Sequence, residues 1–181
     1  MRVITGSARG KKLLTLEGQD VRPTVARVKE GIFSAIQFDI EGRKVLDLFA
    51  GSGQLGIEAL SRGAQLCVFV DNSARSLDVV KENLKSCGLL ENARVVQSDA
   101  LAFINGRTEL FDIVFLDPPY AGDLLERVLK QLEPCLSAHG MVLCEHAAAN
   151  QLQDNYGSLV KQKDYRYGKV CVRLYRREPR A

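Results

Sequence analysis

The sequence predicts a doubly wound α/β domain, a mostly parallel sheet with helices on both faces. Three observations carry that expectation. From residue 44 onward, short continuous apolar runs alternate with longer amphipathic stretches; a glycine-rich loop follows the first run; and after residue 150 the alternation gives way to two adjoining strand-like segments. An apolar run without polar alternation marks a strand buried on both faces, the condition of a parallel sheet flanked by helices.

The N-terminal 22 residues offer only two short extended candidates, VITG and KKLLTL, separated by a turn at Ala8-Arg9-Gly10. They predict a small basic hairpin over residues 1–22, preceding a main domain over 23–181. Arg22-Pro23-Thr24 then leads into a helix in which Val25, Val28, Ile32 and Ile36 recur at helical spacing, with Thr24 as its N-cap. One face of that helix should cover the sheet while Arg27 and Lys29 point elsewhere. KVLDLF, LCVFVD, ARVVQ, FDIVFLD and MVLCEH follow as parallel strands, with helical stretches at 54–63, 74–87 and 122–136. SLVKQKDYRYGKVCVRLYRR reads as an antiparallel hairpin turning at Tyr167-Gly168 on the sheet edge, which brings the expected sheet to seven strands.

The chain has 181 residues, 46% of them hydrophobic and 26% charged, as in an ordinary globular domain. No run is long enough to span a bilayer, and the opening residues lack the apolar core of a secretory signal, so a cytoplasmic location is expected. Cys67, Cys87, Cys135, Cys144 and Cys171 form an odd set with no C-x-x-C pair, and His139 and His146 stand alone. They read as free thiols and isolated imidazoles, with no metal site expected. Residues 1–30 carry seven Lys/Arg against three acids and residues 159–181 eight against two, whereas residues 31–158 have a net charge of −7. Basic ends that met on one face would neutralise phosphates; charge alone equally allows a solvated surface.

The densest chemical signal is Asp47-Leu48-Phe49-Ala50-Gly51-Ser52-Gly53-Gln54-Leu55-Gly56 at the end of the first parallel strand. Glycines there let the chain turn sharply and bring backbone amides close to a ligand at the carboxyl ends of the strands. Asp47, Phe49, Ala50, Gly51, Ser52 and Gly53 are therefore candidate cofactor contacts. The loop also satisfies the G-x-G-x-x-G dinucleotide pattern, with Asp71 and Asn72 about 20 residues on to receive ribose hydroxyls. Two features favour S-adenosylmethionine over NAD. Asp47 would repel a pyrophosphate and attract the ammonium of a methionine moiety. In addition, the fourth strand ends in Asp117-Pro118-Pro119-Tyr120, for which a dehydrogenase has no obvious use.

That tetrapeptide suits methylation of an exocyclic base amine, a poor nucleophile because its lone pair is delocalised into the ring. The Asp117 carboxylate and the Pro118 carbonyl can accept the amine hydrogens and leave the lone pair aimed at an activated methyl. The prolines stiffen the loop, and Tyr120 offers a ring on which a flipped-out base can stack. Asp99 can take an adenine amino group, with Ala100 supplying a backbone amide, although capping of the next helix is a comparable role for Asp99, as it is for Asn72-Ser73. Glu145 and Asp112 read as structural or solvated. An adenine-N6 methyltransferase, an NAD oxidoreductase and a non-catalytic RNA-binding module remain as rivals.

The opening VITGSARGKKL, the segment Arg22-Pro-Thr-x-x-Arg27-Val-Lys-Glu30, DLFAGSGQLGIEALSRG, Asp117-Pro-Pro-Tyr and the basic C-terminal strand together resemble the RsmD-type 16S ribosomal RNA guanine-N2 methyltransferases along nearly the whole chain. The resemblance implies a Rossmann-like class I methyltransferase fold and transfer of one methyl group from S-adenosyl-L-methionine to N2 of a guanine in small-subunit rRNA, without metal. It implies a monomer acting on 16S rRNA or a small ribosomal subunit particle. It places Arg22, Thr24 and Arg27 near the cofactor and the RNA entrance, and Arg9, Lys11 and Lys12 on phosphates. Tyr120 stands where such enzymes often have phenylalanine, which leaves guanine and adenine undivided by that motif alone.

Overall fold

The computed structural model describes residues 1–16, 23–106, 108–119 and 122–178, with the side chains of Pro23 and Thr24 left aside. Helix α1 spans Pro23–Ala35, β1 Lys44–Asp47, α2 Gln54–Ser61, β2 Leu66–Asp71, α3 Ala74–Cys87, β3 Ala93–Gln97 and α4 Ala100–Asn105. Strand β4 covers Phe111–Leu116, α5 Leu124–Gln131, β5 Leu136–Ala147, β6 Asn155–Tyr156, β7 Leu159–Tyr167 and β8 Val170–Arg177. The strands form one eight-stranded sheet in the order β3-β2-β1-β4-β5-β8-β7-β6. Strands β1 to β5 pair in parallel, and β8 runs antiparallel to both β5 and β7. The expected seven strands are present, and the eighth is β6, two residues paired antiparallel with β7 at the edge.

Side-chain alternation divides the core. Val45, Cys67, Phe69, Ile113, Phe115, Met141 and Leu143 face α1, α2 and α3, while Leu46, Val68, Val70, Val114, Leu116 and Val142 face α4 and α5. Each central strand is therefore apolar on both faces, which is why the runs lacked alternation. The 7–8 hairpin turns at Gly168, whose φ of 62° is the left-handed conformation that a side chain disfavours.

Two expectations for α1 are corrected. The helix begins at Pro23, so Thr24 lies in its first turn and is not the N-cap; proline suits that place because its missing N–H has no partner there. Lys29 does not point away. It is buried, pairs with Glu58 of α2 at 3.0 Å and donates to the Arg2 carbonyl at 3.0 Å. The second face of α1 packs on α2 and the N-terminal segment, so a lysine there needs a buried acid.

The described part of the N-terminal segment folds back on itself, but with one antiparallel bridge, Arg2 with Lys12, in place of a regular hairpin. Val3, Ala8 and Leu13 enter the main core. The Glu58 carboxylate accepts from Ile4 N at 2.8 Å and Thr5 N at 3.0 Å, and Ser61 Oγ accepts from Ala8 N. Gly6 lies so close to α2 that a Cβ would sit 1.7 Å from the Ser61 carbonyl oxygen. Among the described residues no helix is long and apolar enough to cross a membrane.

Candidate active site

Strands β1, β2, β3 and β4 end on one side of the sheet, and the loops that follow them enclose a cavity of about 520 Å³. This is the carboxyl edge where the chain reverses direction across β1, the usual place for a ligand in an open α/β sheet. The β1 loop contributes Leu48, Phe49 and Gly51; Asp71 and Asn72 come from the end of β2; Ser98, Asp99 and Ala100 follow β3. Asp117, Pro118 and Pro119 follow β4, and Leu16, Ser76 and Leu124 complete the wall.

The glycine loop is built from below. Asp47 is buried and its Oδ2 accepts from Gly56 N at 3.0 Å, which ties the first turn of α2 to the end of β1. Gly51 and Gly53 take φ values of 53° and 78°, so the loop needs residues free to enter the left-handed region. Asp71 steadies the loop from the next strand, accepting from Gly51 N through Oδ2 and from Ser73 N through Oδ1, both at 2.9 Å. Ser73 caps α3 by accepting from Ser76 N, leaving Asn72 on the cavity wall. Asp99 caps α4 through Oδ1, accepting from Leu101 N and Ala102 N, and also lines the cavity. Capping and ligand contact are therefore compatible at Asp99.

Asp47, Asp71, Asp117 and Glu145 all continue the alternation that places Val45, Phe69, Phe115 and Leu143 on one face of the sheet. The register Leu116 with Cys144 sets Asp117 beside Glu145. Such crowding disfavours ionisation. Burial, a backbone hydrogen bond from Gly56 acting in the opposite sense, and Asp71 nearby leave the Asp47 carboxyl at about 7. Burial, then Glu145, then Asp47, raise Asp117 to about 8. A cation in the cavity would relieve this, whereas a pyrophosphate would aggravate it. The residues present therefore fit a positively charged nucleoside better than a dinucleotide.

The sign of the resulting pH effect follows by linkage. A carboxyl whose folded value lies above its unfolded 3.8 keeps a proton that the unfolded chain releases, so its contribution to stability is present below 3.8, falls as pH rises, and is fully lost once pH passes the folded value of about 7. Asp47→Asn keeps the acceptor for Gly56 N and removes the titration. Urea midpoints of the ligand-free protein should show the variant gaining on wild type between about pH 4 and about pH 7 and keeping that gain at higher pH. A difference independent of pH would contradict the assignment.

Of the sequence-predicted contacts, Phe49, Gly51, Asp71, Asn72, Asp99, Ala100, Asp117, Pro118 and Pro119 come together on the cavity wall. Asp47, Ala50, Ser52 and Gly53 lie among the residues that support the loop: Ala50 N donates to Val70 O and Gly53 N to Ala50 O. Arg9, Lys11, Lys12 and Arg27 are exposed and do not line the cavity. Tyr120 and Arg22 lie outside the described residues, as does the side chain of Thr24. Leu16, Ser76, Ser98 and Leu124 were not anticipated, and only Ser98 had a signal, its place before Asp99. Glu145 lies near the carboxyl end of β5, on the face that Asp47, Asp71 and Asp117 share, and that position could have marked it.

A family model described as conserved hypothetical protein 95 matches residues 1–176. The chain is 40% identical to YlbH of Bacillus subtilis, over 98% of this chain and 99% of that protein. It is 35% identical to ribosomal RNA small subunit methyltransferase D of Escherichia coli strain K12, over 98% of this chain and 90% of that protein. The solved structure of yhhF from Escherichia coli superposes with a TM-score of 0.90 at 35% identity, covering 99% of each chain.

Proposed function

Since the chain belongs to the conserved hypothetical protein 95 family, together with the small-subunit ribosomal RNA methyltransferase D proteins, we propose that it is an S-adenosylmethionine-dependent methyltransferase acting on the N2 amine of a guanine in 16S rRNA. One observation carries the reading: the Asp117-Pro118-Pro119 loop lines the same cavity as Gly51, Asp71 and Asp99. A group that accepts amine hydrogens thus stands beside a nucleoside-sized site. The family relationship supplies the ribosomal RNA; the choice of guanine N2 rests on the resemblance.

S-adenosylmethionine would supply an electrophilic sulfonium methyl. The chain's own residues do the rest. Asp71 presents carboxylate oxygens suited to ribose hydroxyls, held in place by Gly51 N and Ser73 N. Asp99 and Ala100 suit the adenine edge, and the acidic floor suits the positive charges. Asp117 and the Pro118 carbonyl accept the hydrogens of the target amine, so that its lone pair is no longer spread evenly into the ring. As the nitrogen gains its fourth bond it becomes acidic, and the Asp117 carboxylate takes the released proton. A positive charge in the cavity favours the ionised Asp117 that this step needs, and once that charge is lost with the methyl, burial, Glu145 and Asp47 favour the protonated carboxyl.

The proposal extends to the remaining parts of the chain. Residues 1–22 serve as a basic extension to a methyltransferase domain over 23–181, with Arg9, Lys11 and Lys12 on phosphates and Arg27 near the RNA entrance. Arg22 and Thr24 stand near the cofactor, and Tyr120 stacks on the target base. The enzyme works as a cytoplasmic monomer without metal, on 16S rRNA or on a small-subunit particle. Incubation with methyl-labelled S-adenosylmethionine and unmethylated small-subunit RNA or particles, followed by digestion to nucleosides, should give N2-methylguanosine. Label in N6-methyladenosine would move the reading to adenine, and no label in any RNA would end it.

A further inference from the structure

Asn83 of α3 is 1% exposed, and its side chain bonds to backbone groups of two distant segments. Its Oδ1 accepts from Leu14 N at 2.8 Å, and its Nδ2 donates to Leu14 O at 3.0 Å and to Ser52 O at 2.9 Å. One side chain thus holds the N-terminal segment, as a neighbouring strand would, and grips the glycine loop with the same amide. Two residues beyond Leu14, Leu16 forms part of the cavity wall. On the other side Lys11 and Lys12 are exposed, in a stretch fixed by Leu13 N donating to Met1 O. None of this is needed to build α3, whose ends are capped by Ser73 and Gly88.

We propose that Asn83 is a positioning residue that couples the cavity to the basic N-terminal segment, so that cofactor and RNA bind cooperatively. This rests on the methyltransferase reading. A nucleoside held between Gly51 and Leu16 fixes the loop and the segment together, and Asn83 transmits that order to Lys11 and Lys12. By linkage, RNA phosphates on those lysines tighten the cofactor site by the same factor. The effect requires no second conformation, only a segment better ordered when either ligand is present.

The test is the RNA affinity of the full chain with and without saturating S-adenosylhomocysteine, at one fixed salt concentration. Wild type should bind a small-subunit RNA fragment at least about fivefold tighter with the cofactor product present. In Asn83→Ala that factor should fall towards one while both ligands still bind. Asn83→Asp, which keeps the acceptor for Leu14 N and loses both donors, should lie between. In wild type, S-adenosylhomocysteine should also slow tryptic cleavage after Lys11 and Lys12, a readout that needs no variant to fold. Coupling unchanged in Asn83→Ala, or wild-type cleavage indifferent to S-adenosylhomocysteine, overturns the proposal. Independent binding of both ligands to wild type overturns the coupling alone, whereas binding of neither overturns the methyltransferase reading beneath it.

Discussion

Asp117→Ala is expected to lower methyl transfer by on the order of a hundred- to a thousandfold, the effect of removing one preorganised polar partner from a reacting centre. Cofactor affinity should change by only a few-fold, because Asp71, Gly51, Asp99 and Ala100 supply other parts of the wall. The loss should appear in kcat rather than in KM for RNA, since the carboxylate matters most when the amine nitrogen gains charge. Asp117→Asn keeps one acceptor oxygen but cannot take up the proton, and should recover a minor part of the rate. Single-turnover rates with labelled cofactor, beside binding isotherms for S-adenosylhomocysteine, separate the two effects. A cofactor site destroyed together with activity would mean that Asp117 is a structural acid.

Glu58→Ala should be the most damaging of the stability variants, by about 3–5 kcal/mol, the usual cost of leaving a buried charge without its partner. Glu58 is fully buried and accepts from Ile4 N and Thr5 N, pairs with Lys29 at 3.0 Å and pairs with Arg62 at 2.9 Å. Its removal strands the buried ammonium of Lys29, already held below the usual lysine range by burial despite Glu58. It also frees two amides of the N-terminal segment. A domain of this size has roughly 5–15 kcal/mol in total, so the variant should unfold at clearly lower urea. Glu58→Gln, which can still accept from one amide, should lose less. A midpoint shift of under about 1 kcal/mol in Glu58→Ala would show the network to be dispensable.

The sheet was legible because burial on both faces leaves an unmistakable apolar run. KVLD, LCVFVD and FDIVFL became β1, β2 and β4 with little error. The strand expected at MVLCEH starts earlier, at Leu136, since α5 stops at Gln131 and a single 3₁₀ turn at Glu133–Cys135 delivers the chain to the sheet. Nothing in the local pattern marks that shift, which depends on a register irregularity beside Phe111 in β4. Strand β6 is too short to show any periodicity.

The site divides in the same way. Acids and glycines at strand ends could be read, because position along a strand fixes which edge they reach. What the fold does with Asp47 could not be read in that manner: its present partner is the Gly56 amide, a local closure invisible at the level of charge. The burial of Lys29 has no local signal, since its acid lies on another helix, 29 positions further along the chain at Glu58. Asn83 is a polar residue in an amphipathic helix, and only tertiary packing turns it inward toward Leu14 and Ser52.

The most direct measurement is a crystal structure of the protein with S-adenosylhomocysteine and an RNA oligonucleotide carrying the target guanine. The account predicts the guanine N2 within about 3 Å of both an Asp117 carboxylate oxygen and the Pro118 carbonyl oxygen, on the side facing the sulfur. A target base held elsewhere, or an amine turned away from Asp117 while the cofactor sits in the cavity, would contradict it.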